Sequence, residues 1–306
     1  MPSYSGVWTL TAQYQAKGAG NWPLPPLTGD IGLFGGGNDG TSSNVISSIS
    51  ITSTGNATDF GDLIVGGKGA GCASATRGVF GGGTNSMSYV TIVTTGDSVS
   101  FGELILSNSS GLGGCNSSTR GVFGGGTGST SNINYITIAS TGNGTYFGDL
   151  TQDRFLMAAC SSSTRGVFGG GQTLGTDRNT IDYITIASTG NATDFGDLLA
   201  VTTNLASCSN STRGLFAGGQ VVNTIAYITI ASTGNATDFG DLTAARYGLA
   251  GCSNASRGVF GGGWTTATVN IIDYVTIAST GNATDFGDLT LVVYNLGALS
   301  NANGGL

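Results

Sequence analysis

The stretch YITIASTGNATDFGDL at 183–198 returns unchanged at 227–242, and again at 274–289 with one valine for isoleucine. Diverged copies stand at 48–63 (SISITSTGNATDFGDL), 89–104 (YVTIVTTGDSVSFGEL) and 135–150 (YITIASTGNGTYFGDL), making six in all. A second marker accompanies each copy: IGLFGGG at 31–37, RGVFGGG at 77–83, 120–126, 165–171 and 257–263, and RGLFAGG at 213–219. Copies this alike, spaced by roughly 45 residues, must each bury the same surface against the next, which restricts the chain to a repeat architecture.

Each repeat reads as four short strands. In the fourth copy LMAACSSS is the first, TRGVFGG the second, IDYITIAS the third and ATDFGDL the last. The third alternates Tyr183, Thr185 and Ala187 with Ile184, Ile186 and Ser188, the period of two that a strand requires. Thr189-Gly190-Asn191 supplies residues that tolerate a tight hairpin turn before the fourth strand. The only trace of a helical stripe lies within residues 7–16, so the chain is all-β. Four strands per repeat predict a propeller blade. The chain ends agree. The first repeat opens at its second strand, Ile31-Gly32-Leu33-Phe34. Past the last repeat, Leu299-Ser300-Asn301-Ala302 matches Cys252-Ser253-Asn254-Ala255 and provides the missing first strand. The expectation is a six-bladed β-propeller over residues 30–306, closed by its C-terminal strand so that no blade edge is left open. Residues 1–29 form a leader.

Composition narrows the class. Only 9% of residues are charged, against a usual quarter, while 39% are hydrophobic and 55 are glycine. That apolar share supports a packed core rather than a disordered chain. Acidic residues outnumber basic ones, 17 to 10, with no basic run, so no nucleic-acid partner is expected. No apolar run approaches the roughly 18 residues of a membrane-spanning helix, and the opening MPSYSGVWTLTAQYQAKGAGNWP lacks the features of a secretory signal. Cys72, Cys115, Cys160, Cys208 and Cys252 fall at one place in successive repeats. Equivalent places in neighbouring blades lie too far apart for a disulfide, so these are read as reduced, small core residues.

The blade resembles a kelch repeat: a strand ending in a glycine pair, a hairpin, then an aromatic in the outer strand. It departs from that pattern in two respects. The outer aromatic is phenylalanine (Phe60, Phe101, Phe147, Phe195, Phe239, Phe286) rather than tryptophan, and Thr189 stands where kelch repeats place tyrosine. Near-identical repeats behind a short leader of this kind are also similar to virion proteins of marine bacteriophages. That resemblance implies a virion location and attachment to other virion subunits through residues 1–29. Trp8, Leu10, Tyr14 and Trp22 would be the docking side chains. The alternative is a cytoplasmic, kelch-like protein-interaction module.

The distance from cysteine to arginine, and from the third strand to the outer phenylalanine, is constant, whereas the segment after the glycine run varies in every copy. Antiparallel strands put all of these variable segments on one face, together with the connections between blades. A rigid scaffold with variable loops on one side is how many binding surfaces are built; unselected drift is the competing reading. Candidate binding residues are Trp264, able to stack on a sugar or to pack on its own blade, the charge pair Asp177 and Arg178, and Asn38 and Asp39. Arg77, Arg120, Arg165, Arg213 and Arg257 recur near Asp62, Glu103, Asp149, Asp197, Asp241 and Asp288, which suggests ion pairs within or between blades. A ring of arginines around an anion is the sharper alternative. Asn56-Ala57-Thr58, Asn191-Ala192-Thr193, Asn235-Ala236-Thr237 and Asn282-Ala283-Thr284 match glycosylation acceptors but are explained by the hairpin turn.

The chain has no histidine, which removes the usual general base and imidazole metal ligand. Its glycine runs lack the Lys-Ser/Thr of a phosphate loop. No enzyme activity, cofactor or metal is expected. The expectation is a non-enzymatic virion structural protein (tail fibre, tail-associated or capsid-decorating), alone or as several copies. Its variable face would be open to a host surface glycan or protein; a carbohydrate-binding propeller is the third reading.

Overall fold

The computed structural model describes residues 27–302 apart from 68, 106–109 and 128–129. Those residues form six antiparallel sheets and no helix. Five blades are built consecutively, as in the fifth: Ala206–Ser209, Arg213–Ala217, Thr224–Thr229 and Thr237–Asp241. The first blade combines Ile31–Gly35, Val45–Ser50 and Thr58–Asp62 with the C-terminal strand Gly297–Ser300, which pairs with Ile31–Gly35 from Gly32↔Ser300 to Gly35↔Gly297. Ring closure is therefore as the repeat phase predicts. The fourth blade carries an extra ribbon, Gln172–Thr173 against Thr176–Asp177, at the variable end of a lengthened third strand.

The inner strands Gly69–Ala73, Gly113–Asn116, Ala158–Ser161, Ala206–Ser209, Ala250–Ser253 and Gly297–Ser300 surround the axis. Gly71, Gly114, Ala159, Ser207, Gly251 and Ala298 line a channel of only about 60 Å³. At its hairpin end the side chains of successive inner strands interlock. Ser161 Oγ donates to Asn116 O at 2.8 Å, Ser209 Oγ to Ser161 O at 2.8 Å, Ser253 Oγ to Ser209 O at 2.6 Å, and Ser300 Oγ to Ser253 O at 2.6 Å. The opposite end is belted by backbone bonds, Leu156 N–Gly111 O (2.7 Å), Asn204 N–Leu156 O (2.9 Å) and Gly248 N–Asn204 O (2.7 Å). Leu156 and Asn204 hold φ of 57° and 56° to make them, a conformation the closed ring enforces.

Between blades the packing is reciprocal. The sulfur of each cysteine lies over the second residue, a glycine, of the second strand in the next blade: Cys72 on Gly121, Cys160 on Gly214, Cys252 on Gly32. In return the phenylalanine of the next blade covers the glycine that closes the strand: Phe216 on Gly169, Phe34 on Gly261. Leu299 replaces cysteine in the first blade, against Gly78. A side chain on any of these glycines would occupy the neighbour's place, so RGVFG is one half of a lock whose other half is also RGVFG.

The recurrent arginines do not meet the recurrent acids. The guanidinium of Arg165 lies 4.3 Å from the Tyr183 ring centroid and donates to Ile230 O of the next blade at 2.8 Å. Arg77, Arg120, Arg213 and Arg257 repeat this on Tyr89, Tyr135, Tyr227 and Tyr274, each tyrosine meeting its outer phenylalanine edge-on at about 6 Å. The ion pairs expected with Asp62, Glu103, Asp149, Asp197, Asp241 and Asp288 do not form. A half-buried guanidinium gains more from a ring face and otherwise unpaired carbonyls than from a solvated rim carboxylate.

The hairpin STGNAT explains the strictest part of the repeat. It adds to the outer strand of the preceding blade: Gly234 N donates to Phe195 O (2.8 Å), Ala236 N to Asp197 O (2.8 Å), and Asn235 Oδ1 accepts from Asp197 N (3.0 Å). The same stitch recurs at all six seams, with Asn56, Asp97, Asn143, Asn191 and Asn282 in place of Asn235. It requires glycine opposite. Gly196 has φ +146°, and a Cβ there would lie 2.6 Å from Gly234 C and O.

Gly196→Ala, which meets both that backbone and an unfavourable φ, should cost ~1–3 kcal/mol in denaturant unfolding. The five cysteines are buried and unpaired, so the folded chain should leave them unreacted towards a thiol reagent and expose all five on unfolding. Burial pushes the Cys160 thiol from 9.0 up to about 12. The unfolded chain therefore loses thiol protons first, and stability should fall as pH rises above about 9, measured by denaturant midpoint against pH.

Candidate recognition face

All the segments after the glycine runs lie at the end of the ring opposite the STGNAT hairpins, beside the connections between blades, because the second strand runs away from the hairpins. Trp264 opens one of them and is half-buried. Its N–H donates to Tyr247 O at 2.8 Å, and its ring meets Tyr294 edge-on at 5.4 Å. Tyr294 in turn meets Tyr247 at 6.3 Å. Trp264 thus belongs to an aromatic trio drawn from two inter-blade connections and one loop, part packed and part open to solvent.

Asn38 and Asp39 shape the first blade's loop. Asn38 exchanges backbone bonds with Tyr294 (2.8 and 3.1 Å), and its Oδ1 accepts from Gly40 N at 2.9 Å. Asp39 Oδ1 accepts from Thr41 N and Oγ1, which holds its carboxyl below the usual range. Through Tyr294 this loop adjoins the aromatic trio. Asp177 and Arg178 lie on the fourth blade's lengthened strand, remote in the fold from that trio. They are half-buried and make no ion pair with each other. Asp177 Oδ1 accepts from Gln172 Nε2 at 3.0 Å, while Arg178 Nε is buried without a partner. Trp8, Leu10, Tyr14 and Trp22 lie outside the described residues.

The face also holds two buried ion pairs, the only ones among the described residues. Arg154 joins Asp182, and Arg246 joins Asp273 at 3.0 Å, every side chain 0% exposed. Arg154 further donates to Gly170 O and Thr180 O, and Thr151 Oγ1 donates to Asp182 Oδ1. Burial lowers both arginines' pKa, and the facing carboxylates oppose that shift. Sequence reasoning passed over Arg154 and Arg246, yet a signal was present. Only the two blades reading IDYITI and IDYVTI have an arginine six positions before the cysteine.

In the fifth blade the corresponding residues are Thr202 and Ala226. Here a groove of about 210 Å³ opens, lined by Leu198, Val201, Leu205, Phe216, Val222 and Ala226, with Thr202 Oγ1 buried and unpartnered on its wall. Leu199, Val201, Val221 and Val222 stand exposed around it. Two differently shaped places, an aromatic cluster and an apolar groove, therefore share the variable face, while the axial channel is too narrow for a ligand of ordinary size.

Arg154→Met should destabilise by ~3–5 kcal/mol, since it strands a buried carboxylate. Arg154→Thr combined with Asp182→Ala, the pair the fifth blade already uses, should recover most of that loss; paired unfolding curves measure the difference.

No protein-family model matches this chain and no curated protein is detectably similar to it, so its functional reading stands on the ring, its seams and its variable face.

Proposed function

We propose that this chain is a non-enzymatic structural protein of a bacteriophage virion, a tail-fibre, tail-associated or capsid-decorating ring. Its leader holds it to other subunits and its variable face points outward. The observation that carries this reading is the polarity of the ring. Leu27, the first described residue, is bound at the hairpin face by Leu27 N–Val93 O at 2.7 Å, opposite every variable loop. A chain held from one side and varied on the other suits a protein carried on a particle. Its seams suit that role too: they repeat one set of contacts and depend on few exposed charges. The kelch-like blade and the short leader are consistent with this, as resemblances only. The half-exposed trio Trp264, Tyr247 and Tyr294 favours a glycan as what the outer face meets, since aromatic faces stack on sugar rings.

Native particles containing this chain should show it at fixed stoichiometry with the hairpin face inward. Removing residues 1–26, which leaves the Leu27 bond in place, should abolish incorporation without unfolding the ring. Recovery of the intact chain only as a free monomer would refute the virion reading. On the outer face, Trp264→Ala should weaken binding to host cells or a glycan array about thirtyfold, the ~2 kcal/mol of an aromatic hot spot.

A further inference from the structure

Where one blade meets the next on the variable face the fold leaves a slot, and three seams close it with side chains of their own. Into the fourth blade, Arg154 donates to Gly170 O and Thr180 O at 2.8 and 2.6 Å and meets Asp182, whose other oxygen accepts from Thr151 Oγ1 at 2.6 Å. Into the sixth, Arg246 pairs with Asp273, and Thr243 Oγ1 donates to the same carboxylate. Into the first, Val293 packs on Gly37, and Thr290 Oγ1 lies 2.6 Å from Ser47 Oγ. The seam between the fourth and fifth blades departs at all three positions together. Leu199 stands for the threonine, Thr202 for the arginine and Ala226 for the aspartate. Thr202 rests on Gly219 as the Arg246 stem rests on Gly263, so its side chain enters the same path and ends early. The slot is left open as the groove of about 210 Å³. Gly218 and Thr224 line it. Their counterparts Gly170 and Thr180 are the residues whose carbonyls Arg154 takes. Thr202 Oγ1 is buried there without a partner, and no ionisable side chain is among the described residues of the lining.

We propose that this groove binds a tyrosine side chain of a partner protein. The group that fills the slot in the fourth blade is flat, donates to carbonyls and passes its stem between apolar walls; a phenol ring on its stem shares that shape. Without the aspartate a guanidinium would be buried unpaired, so the occupant is neutral. A phenolic hydroxyl both gives and takes a hydrogen bond. It suits carbonyl oxygens on one side and the spare Thr202 hydroxyl on the other, whereas phenylalanine offers neither function and tryptophan only the donor. The rim calls for a protein rather than a free small molecule. Leu199, Val201, Val221 and Val222 stand 48, 52, 48 and 41% exposed around the mouth, more apolar surface than one ring covers. Val221 is held there at φ 57°, a conformation unfavourable for a β-branched residue, so the rim is kept at a cost in backbone strain. The site belongs to the isolated chain and does not depend on the virion reading.

The test titrates the full chain with p-cresol, which is the tyrosine side chain alone, and with toluene and methylguanidinium, following the amide signals of Thr202, Gly218 and Ala226. p-Cresol should bind in the groove, toluene roughly tenfold more weakly for want of about one hydrogen bond, and methylguanidinium not detectably. Thr202→Val keeps the side-chain shape and should weaken p-cresol about threefold while leaving toluene unchanged. Leu199→Thr with Thr202→Arg and Ala226→Asp installs the trio of the fourth and sixth blades and should abolish binding of both, with unfolding curves checking that the ring is intact. Random displayed peptides selected on the parent and depleted on that closed form should converge on tyrosine. Equal affinity for p-cresol and toluene, preference for methylguanidinium, equal losses of both ligands in Thr202→Val, or peptides anchored by another residue would overturn the proposal. So would a dimer of the parent that closing the slot abolishes, which would mark the occupant as a second copy.

Discussion

Everything in this ring depends on how closely the backbones of adjacent blades approach. At the rim the STGNAT hairpin of one blade hydrogen-bonds the outer strand of the blade before it, and at the axis serine side chains bond neighbouring carbonyls. Both spacings are fixed by short hydrogen bonds that end on the neighbour's main chain, so side chains between them are restricted to what fits. Glycine is obligatory where main chain meets main chain, as at Gly196 facing Gly234, and wherever a neighbour's phenylalanine or cysteine intrudes. The same constraint keeps the sixteen-residue stretch alike from copy to copy: each copy is at once donor and acceptor for its neighbours. A change in one copy therefore disturbs two seams.

The use of charge follows from the same geometry. A seam end half open to water is a poor place for an ion pair, because solvent screens the attraction while the side chains still lose freedom. A guanidinium there does better covering a tyrosine and closing on carbonyls that the hairpin turn leaves without partners. Where the chain does bury true ion pairs, at Arg154–Asp182 and Arg246–Asp273, it shields them fully from water. Pairs of that kind add little net stability over apolar replacements. The fifth blade does without such a pair in the same molecule, with Thr202 and Ala226 in their places.

The architecture was legible because its signal in the sequence is repetitive. Strand period, hairpin residues and the out-of-phase ends Ile31 and Leu299 all follow from local chemistry or from counting along the chain. The partners of Arg77 and its counterparts were not legible. Proximity in the repeat suggested acids, whereas the choice among acid, ring and carbonyl depends on burial and on which sheet face meets the next blade. Trp264 was recognisable as an aromatic in a variable loop, but Tyr247 and Tyr294 reach it from connections distant in sequence, so the trio appears only in three dimensions. The groove beside Phe216 was hidden for a different reason. It is made by absences, at Thr202 and Ala226, and absences show only once the blades are superimposed on one another.

Departures from repetition are consequently what make the six blades distinguishable. A ring of identical blades would offer six equal surfaces and no preferred way to be held. The first blade breaks that equality at the hairpin face through Ile31, Ser48 and the chain arriving at Leu27. The fourth, fifth and sixth blades break it at the opposite face, through the lengthened ribbon, the apolar groove and the aromatic trio. The departures use side chains and loops that the seams do not need, so they cost the ring little. Stability is carried by what the six copies share, which frees what they do not share to vary without weakening the ring.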